Sequence, residues 1–337
     1  MKNEENNVCS TIAMCCQKGG TGKSLLSRET AYSLVQRGYK VLLIDSDPQA
    51  TTSYLCGYED DEGLQNLYDE MVYYYLQLQK PKDEQTEFDM SLIDKVIKRP
   101  TYKKVVKNGR KYTEETVEFG FDLITADISL ADFDHHLSNL ALGGKNIGAY
   151  MLLEIIKKIK EVRSYDYIVI DVLPGLNMIA YNAITACADK GGVVTVINVD
   201  PSAVKGGQNL FKTVAEIQHL LYEKNGIKHN GILGVVRNEY KTRLKITKEI
   251  EDSFEEKFGP AKIFDTGIPS KTTVDKANNL KRSVSEYDPA MGEIFGNLTK
   301  EIIEECERRN ARSEPIIIDA VGQEYYDSLK EKEQSAE

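Results

Sequence analysis

The apolar positions of the chain form short continuous runs, and these runs alternate with segments of helical spacing. Five runs are rich in β-branched residues, show no polar alternation and are too short for core helices. They cover residues 8–14, 40–45, 166–171, 192–199 and 231–236. Such runs predict strands that are buried on both faces of a sheet. Apolar residues between them recur as in Leu152, Ile156 and Ile159, and Gly38 and Gly226 stand where helices would end. The alternation predicts an α/β fold, a mostly parallel twisted sheet with helices on both faces.

The segment 57–120 interrupts this alternation. It begins with an acidic loop and a helical pattern, and it ends in two β-prone stretches separated by Asn108-Gly109. A two-residue turn at this dipeptide predicts a β-hairpin whose register sets Val105 opposite Tyr112. We therefore expect an insertion made of a helix and a hairpin.

Composition and charge narrow the class of protein. The 337 residues are 41% hydrophobic and contain no apolar run near the ~18 residues of a membrane span, which excludes transmembrane and disordered classes. The first residues lack the basic and apolar regions of a secretory signal, so we expect a cytoplasmic protein. The six cysteines form no CxxC pair, which argues against a disulfide framework or a structural metal. A net charge of -10 excludes a generally basic surface but leaves room for a local basic patch that meets nucleic acid.

A glycine-rich loop lies between the first predicted strand and the helix that follows it. It reads Gln17-Lys18-Gly19-Gly20-Thr21-Gly22-Lys23-Ser24. In this context the backbone N–H groups of residues 19–22 can converge on phosphate oxygens, helped by the partial positive charge of the helix N-terminus. Lys23 can reach the β- and γ-phosphates, and the Ser24 hydroxyl can bind Mg²⁺. The loop therefore predicts a nucleoside triphosphate site.

One departure from the common phosphate-loop pattern points to a family. The usual first glycine is replaced by Gln17, and a second lysine, Lys18, follows it. The loop thus resembles that of the deviant Walker A ATPases, the ParA/MinD superfamily, which reads K-G-G-x-G-K-[ST]. The resemblance implies ATP and Mg²⁺ as cofactors and a nucleotide-sandwich homodimer, in which Lys18 reaches the partner's ATP much as an arginine finger does.

Two acidic stretches extend the resemblance. The stretch Asp45-Ser46-Asp47-Pro48-Gln49 resembles the family's D-x-D-P-Q sequence at the end of the second strand, and we expect both carboxylates to face the nucleotide pocket. By resemblance, Asp45 belongs to the network of Mg²⁺ and the loop lysine, and Asp47 orients the attacking water. Another buried strand ends at Asp171 in a Walker B arrangement, which implies that this carboxylate lies near Mg²⁺, through water.

Two later strands end in residues that resemble the family's adenine enclosure, namely Asn238 and Pro269. A polar residue after a strand and a proline in a loop are as often purely structural, so both interpretations stay open. The resemblance covers about residues 8–56 and 121–305. We expect a single P-loop ATPase domain over 1–308 that carries the insertion, followed by an acidic tail over 309–337.

Among the branches of the superfamily, the sequence favours DNA segregation. The cysteines lack the glycine-rich surroundings of the cluster-binding cysteines in the iron-protein reductases. The acidic C-terminal residues differ from the basic helix with which the MinD branch binds membrane. The branch implies a partition ATPase that binds nonspecific DNA as an ATP dimer, drives segregation of a plasmid or other DNA with a ParB-like partner, and does not bind membrane. One alternative is a MinD-like positioning ATPase acting on a protein complex. Another is a P-loop amidoligase or an enzyme similar to dethiobiotin synthetase.

Three basic stretches are candidates for the DNA contact. They contain Lys103, Lys104, Lys107, Arg110 and Lys111 in the hairpin, then Arg237, Lys241, Arg243 and Lys245, and finally Lys271, Lys276 and Arg282. A solvated charged face explains the last two stretches nearly as well. The first stretch is explained equally by lysines that keep the exposed edge of a hairpin from aggregating.

Overall fold

A computed structural model of the chain describes residues 9–59, 65–80, 84, 90–109, 111–142, 147–198, 201–238 and 263–312. Nine strands are found in these residues. They are β1 (Ser10–Cys15), β2 (Val41–Ser46), β3 (Ile97–Lys98), β4 (Thr101–Asn108), β5 (Lys111–Glu118), β6 (Asp122–Ile124), β7 (Tyr167–Val172), β8 (Gly191–Asn198) and β9 (Ile232–Asn238). The five predicted runs thus form strands, with bounds that shift by only a few residues.

Helices separate the strands along the chain. Those in the described residues are α1 (Lys23–Gln36), α2 (Thr51–Leu55), α3 (Leu67–Gln79), α4 (Met90–Val96), α5 (Ser129–Leu142), α6 (Ile147–Val162), α7 (Met178–Thr185), α8 (Pro201–Asn225), α9 (Thr272–Asn279), α10 (Val284–Tyr287) and α11 (Pro289–Asn310). Local chemistry sets their ends. Helix α1 is followed by Gly38 at φ 83°, and α11 begins where the Asp288 side chain accepts from the N–H groups of Ala290 and Met291.

Seven strands form one sheet in the order β3-β6-β2-β7-β1-β8-β9. All neighbours are parallel except β3, which pairs antiparallel to β6. The central strands β1, β2 and β7 are buried along their whole length, as their unbroken apolar runs require. One apolar core lies on each face of the sheet, packed by α3–α8 on one side and by α1, α9, α10 and α11 on the other. The predicted fold class is confirmed.

The insertion contributes more to the core than its sequence suggested. Leu67 and Met71 of α3 and Ile93 and Val96 of α4 are fully buried in the main core. Strand β3, which sequence analysis did not predict, extends the sheet at one edge. Two residues pairing antiparallel at an edge carry too little periodicity to be recognised in a sequence.

The predicted hairpin forms as a separate two-stranded sheet, but its predicted register is wrong. Asn108 pairs with Lys111, and Val105 therefore stands opposite Glu114 instead of Tyr112. The difference arises because Gly109, at φ 64°, takes the first position of the two-residue turn, a position that favours glycine. Relative to the expected turn, the first strand is thereby one residue longer at the tip and the second strand is one residue shorter.

Candidate functional site

A cavity of about 550 Å³ lies next to the carboxyl end of β1. This is the edge of a parallel sheet where ligands generally bind. Its walls come from the glycine-rich loop, the loop after β2, the end of β9 and the segment 268–278. Of the residues predicted to hold a nucleotide, those that line it are Gly19, Gly20, Thr21, Gly22, Lys23, Ser24, Asp47, Asn238 and Pro269.

The glycine-rich loop has a backbone that other residues would not adopt easily. Gly20 and Gly22 both have φ 74°. A Cβ atom on Gly22 would lie 2.1 Å from Nδ2 of Asn238, so a side chain is also excluded by space. Asn238 donates from this Nδ2 to the Thr21 carbonyl at 2.6 Å, which ties the end of β9 to the loop. Asn238 is thus placed at the cavity as predicted, and part of its function is structural.

Lys23 lies between two carboxylates. Its Nζ is 2.5 Å from Oδ1 of Asp171 and 3.9 Å from Oδ2 of Asp47. Burial by itself would lower the pKa of Lys23, but the neighbouring Asp171 carboxylate outweighs it and raises the pKa above its ordinary value. The ammonium group is therefore held charged inside the protein, at the opening of the helix that follows the loop.

Asp171 is fully buried and is held from several sides. Oδ1 accepts from the Ser27 hydroxyl at 3.0 Å, and Oδ2 accepts from the Thr52 hydroxyl at 2.7 Å. Lys23 occupies the side nearest the cavity, and Asp171 is not among the described residues that line it. Sequence reasoning gave no signal for Ser27 and Thr52, because single hydroxyl residues on helices are common.

The carboxylates of Asp45 and Asp47 point in different directions, although both were expected to face the nucleotide pocket. Residues two apart in a strand point to the same face, but β2 ends at Ser46 and the chain turns at Asp47. Asp47 lines the cavity and accepts from the Gln49 N–H at 3.0 Å. Burial raises the pKa of Asp47 above its ordinary value.

The carboxylate of Asp45 anchors α2 instead of facing the cavity. Oδ2 accepts from both the N–H and the hydroxyl of Ser53, each at 2.8 Å, and Oδ1 accepts from the Asp47 N–H at 3.1 Å. Burial, with the Asp171 carboxylate nearby, raises the pKa of Asp45 well above its ordinary value. Since the described lining of the cavity does not include Asp45, its expected contact with Mg²⁺ has no geometric support.

The oxygen groups at the cavity fit a magnesium ion that is bound together with phosphates. The Ser24 hydroxyl and the Asp47 carboxylate are hard oxygen donors on the lining. Within the part of the chain that the structure describes, no cluster of three or more His, Cys, Asp or Glu side chains could hold a metal by itself. Mg²⁺ typically takes one or two protein oxygens and completes its shell with phosphate and water, so the donor set suits it.

Lys18 is exposed and is absent from the described lining of its own cavity, although neighbouring loop residues form that lining. Pro269, with Ile268 and Val274, supplies an apolar part of the cavity wall. A flat aromatic ring can pack on such a wall. Pro269 is thus placed at the cavity, while the role of Lys18 on the nucleotide of a second copy stays a prediction.

Several predicted DNA-contact residues are engaged in contacts within the protein. Arg237 donates to the carbonyls of Phe264 and Asp265 at 2.9 and 2.8 Å, so it ties the end of β9 to the segment after 263. Lys104 pairs with Glu286 at 2.8 Å, and Arg282 contacts the same carboxylate through two nitrogens.

The other basic candidates that the structure describes differ in exposure. Lys103 donates to the Thr116 hydroxyl, and Lys271 lies 3.5 Å from Asp288. Lys107, Lys111 and Lys276 are exposed. Arg110, Lys241, Arg243 and Lys245 lie outside the described residues. In the ranges that are described, no helix has the length and apolarity needed to cross a membrane.

Comparison with known proteins agrees with this geometry. The family model described as "AAA domain" (AAA_31) matches residues 9–227, more than half of the chain. The chain is 26% identical over 309 residues to the chromosome partitioning protein ParA of Caulobacter vibrioides, covering 91% of this chain and 98% of ParA. It is 28% identical over 295 residues to the sporulation initiation inhibitor protein Soj of Bacillus subtilis, covering 86% of this chain and 97% of Soj.

Solved structures share the fold at lower identity. The ATP complex of Cyanothece McdA superposes with a TM-score of 0.64 at 20% identity, covering 88% of this chain and 96% of McdA. The glycine-rich loop with its two lysines lies within the matched family model. The chain belongs to the ParA/MinD superfamily of P-loop ATPases, near its ParA/Soj branch.

Proposed function

We propose that this protein is a partition ATPase of the ParA type. It binds ATP with Mg²⁺, forms an ATP-dependent homodimer, binds DNA without sequence preference, and is reset by slow hydrolysis that a ParB-like, DNA-bound partner stimulates. Its cargo is a plasmid or another DNA element, and it works in the cytoplasm, on the nucleoid when ATP is bound. The observation that carries the proposal is the cavity in which Lys23 is held between Asp47 and Asp171, with Lys18 exposed beside it.

The residues of the cavity suit the parts of an ATP molecule. Backbone N–H groups of the loop from Gly19 to Ser24 would bind phosphate oxygens, and Lys23 would add its charge. The Ser24 hydroxyl would hold Mg²⁺, which when bound neutralises charge on the β- and γ-phosphates. Asn238 and the wall at Pro269 would enclose the adenine.

Asp47 is the side chain best suited to act on the attacking water. It lines the cavity, it is mostly buried, and its Oδ1 is held in place by the Gln49 N–H. A raised pKa makes its carboxylate a better proton acceptor than an exposed aspartate. Asp171 keeps its position during this step, because the Ser27 and Thr52 hydroxyls donate hydrogen bonds to its carboxylate.

The position of Lys18 supports a dimer. A cation that is exposed at the mouth of its own cavity can contribute charge to a nucleotide bound by a second copy, as an arginine finger does. Nucleotide binding would thereby become a switch for dimerisation, and hydrolysis would reverse it. The relatives named ParA and Soj support a role in partition.

Light scattering with ATP, ADP or no nucleotide tests the proposal. A dimer only with ATP is expected, and a monomer in all three states would overturn the mechanism. Binding to random DNA and to liposomes by the ATP-bound protein then separates partition from a MinD-like positioning role. An amidoligase would use ATP to phosphorylate a carboxylate and has no need for Lys18 on a partner's nucleotide, so loss of hydrolysis in Lys18→Ala also separates that class.

A further inference from the structure

Helix α9 forms a wall of the cavity whose polar residues the proposed mechanism does not use. Val274, Asp275 and Asn278 all line the cavity and are spaced as one face of a helix. They adjoin the apolar wall of Ile268 and Pro269. The same cavity is lined by the glycine-rich loop, so a nucleotide with its phosphates on that loop could place its base against this wall.

The amide of Asn278 has a fixed orientation. Its Oδ1 accepts from Nη2 of Arg28 at 2.9 Å, and because an arginine only donates, the atom that faces Arg28 must be the oxygen. Arg28 is itself fully buried and is held by Glu29 at 2.9 Å and by the Leu55 carbonyl at 3.1 Å. Since Oδ1 is engaged by Arg28 and the residue lines the cavity, the group that Asn278 has left for a ligand is Nδ2, a pure donor.

Asp275 precedes Asn278 by three residues and offers the opposite chemistry. An ionised carboxylate only accepts hydrogen bonds. The wall thus presents an acceptor and a donor about one helical turn apart. The edge of adenine carries an amine that donates, flanked by ring nitrogens that accept, and this is the complementary pair. Guanine has a carbonyl in place of the amine, and the Asp275 carboxylate would repel it.

We propose that Asp275 and Asn278 read the base of the nucleotide, with Asp275 accepting from the exocyclic amine of adenine and Asn278 donating to an adjacent ring nitrogen. Arg28 is a positioning residue that fixes the Asn278 amide. This assignment rests on the proposed function, since it requires that the cavity bind a nucleotide, and it adds the origin of base selectivity.

The test measures equilibrium binding of ATP, GTP and purine riboside triphosphate, which lacks the exocyclic amine, by calorimetry with the full chain. Wild-type protein should bind purine riboside triphosphate about tenfold more weakly than ATP, the effect of one charge-assisted hydrogen bond. In Asp275→Ala the two affinities should become nearly equal. The matched control is Asn279→Ala, a change at an exposed neighbour on α9 outside the described lining, which should keep the wild-type ratio.

A second variant tests the donor. Asn278→Asp keeps an oxygen toward Arg28 but presents an acceptor to the base, so ATP should bind about tenfold more weakly while thermal unfolding stays near that of wild type. An unchanged ratio in Asp275→Ala, or GTP bound by wild type as tightly as ATP, would overturn the assignment alone. A chain that binds no triphosphate would overturn the proposed function and this assignment together.

Discussion

The Nζ atom of Lys23 lies 2.5 Å from Oδ1 of Asp171, and both side chains are almost completely buried. A buried ion pair is costly to separate, because removal of one partner leaves an uncompensated charge in a medium of low dielectric. Asp171 thus keeps the loop lysine charged and close to the place where phosphates would bind. In this structure, the main role of Asp171, the carboxylate of the Walker B arrangement, is to stabilise the charge of Lys23.

Lys23→Ala should abolish ATP binding, since the β- and γ-phosphates lose a point charge. The variant should also lose about 3 kcal/mol of unfolding free energy, because Asp171 is left buried and unpaired. Calorimetry with ATP and urea unfolding measure the two effects. Adding Asp171→Asn should restore much of the stability without restoring ATP binding. An ATP affinity equal to that of wild type would contradict the role of Lys23.

Lys18→Ala should bind one nucleotide nearly as wild type does and should lose both ATP-dependent dimerisation and hydrolysis. The reason is that Lys18 is exposed outside its own cavity, so its charge would act on the nucleotide of a second copy. Light scattering and phosphate release are the measurements. Lys40→Ala, at an exposed lysine just before the opposite end of β2, is the control. Hydrolysis by Lys18→Ala at the wild-type rate would disprove the assignment in trans.

Asp47→Ala should retain ATP and the dimer but lose hydrolysis by about 10²- to 10⁴-fold, because only the orientation and activation of water are removed. Burial raises the pKa of Asp47, so its carboxylate should become protonated at a higher pH than an ordinary aspartate does. Hydrolysis by the wild type should therefore decline over that higher range of pH as the pH is lowered. Pre-steady-state phosphate release across pH measures this fall. If Asp47→Ala fails to bind ATP with Mg²⁺, its carboxylate serves the metal alone.

The sequence was sufficient for the fold and for the phosphate end of the cavity. Buried parallel strands have unbroken apolar runs, and a glycine-rich loop between a strand and a helix has few other uses, so β1, the loop and α1 were predicted closely. The direction of Asp45 was not predictable. It depends on β2 ending at Ser46, and strand ends are not marked by periodicity.

Long-range contacts account for most of what the sequence did not reveal. Arg28 and Asn278 are 250 positions apart, and nothing near either residue indicates that they are bonded. Lys104 belongs to a basic run in the sequence, yet its charge is met by Glu286 from another part of the chain. A run of one charge therefore predicts a patch only when the folded partners of its residues are known.

The buried His229 should make the protein less stable in acid. Its Nε2 donates to the Ile184 carbonyl and its Nδ1 accepts from the Gly231 N–H, which requires the neutral ring. Burial lowers the pKa of His229 to about 4, although the Ile184 carbonyl acts in the opposite direction. Between a pH of about 6.5 and 4 the unfolded chain binds more protons, so stability falls as pH falls, by up to about 3 kcal/mol.

Urea unfolding of wild type and His229→Gln at several pH values checks the effect. The variant should be less stable at pH 7, because it loses a hydrogen bond, but its stability should depend less on pH in that window. Carboxylates that titrate in the same pH range contribute equally to both proteins. The difference between the two pH dependences of the unfolding free energy therefore reports on His229. Equal pH dependence would show that another group is responsible.

The tip of the hairpin is the part of the insertion best suited to touch DNA. Lys104 is paired with Glu286 and Lys103 donates to Thr116, whereas Lys107 and Lys111 are exposed next to the turn. Lys107→Gln with Lys111→Gln should therefore weaken ATP-dependent binding to any DNA sequence alike. The log-log salt slope should flatten by roughly 0.9 for each lost phosphate contact.

A control with two other lysines distinguishes the loss of a local DNA contact from the effect of a lower total positive charge. Lys157→Gln with Lys300→Gln removes the same charge from α6 and α11, far in sequence from the hairpin, and should leave the salt slope nearly unchanged. Fluorescence anisotropy with random DNA at several salt concentrations measures both double variants, and light scattering confirms that each still dimerises on ATP. If the hairpin variant keeps the wild-type affinity and slope, the hairpin does not contact DNA. Among the described residues, Lys271 just before α9 and Lys276 within it would then be the next candidates for the contact.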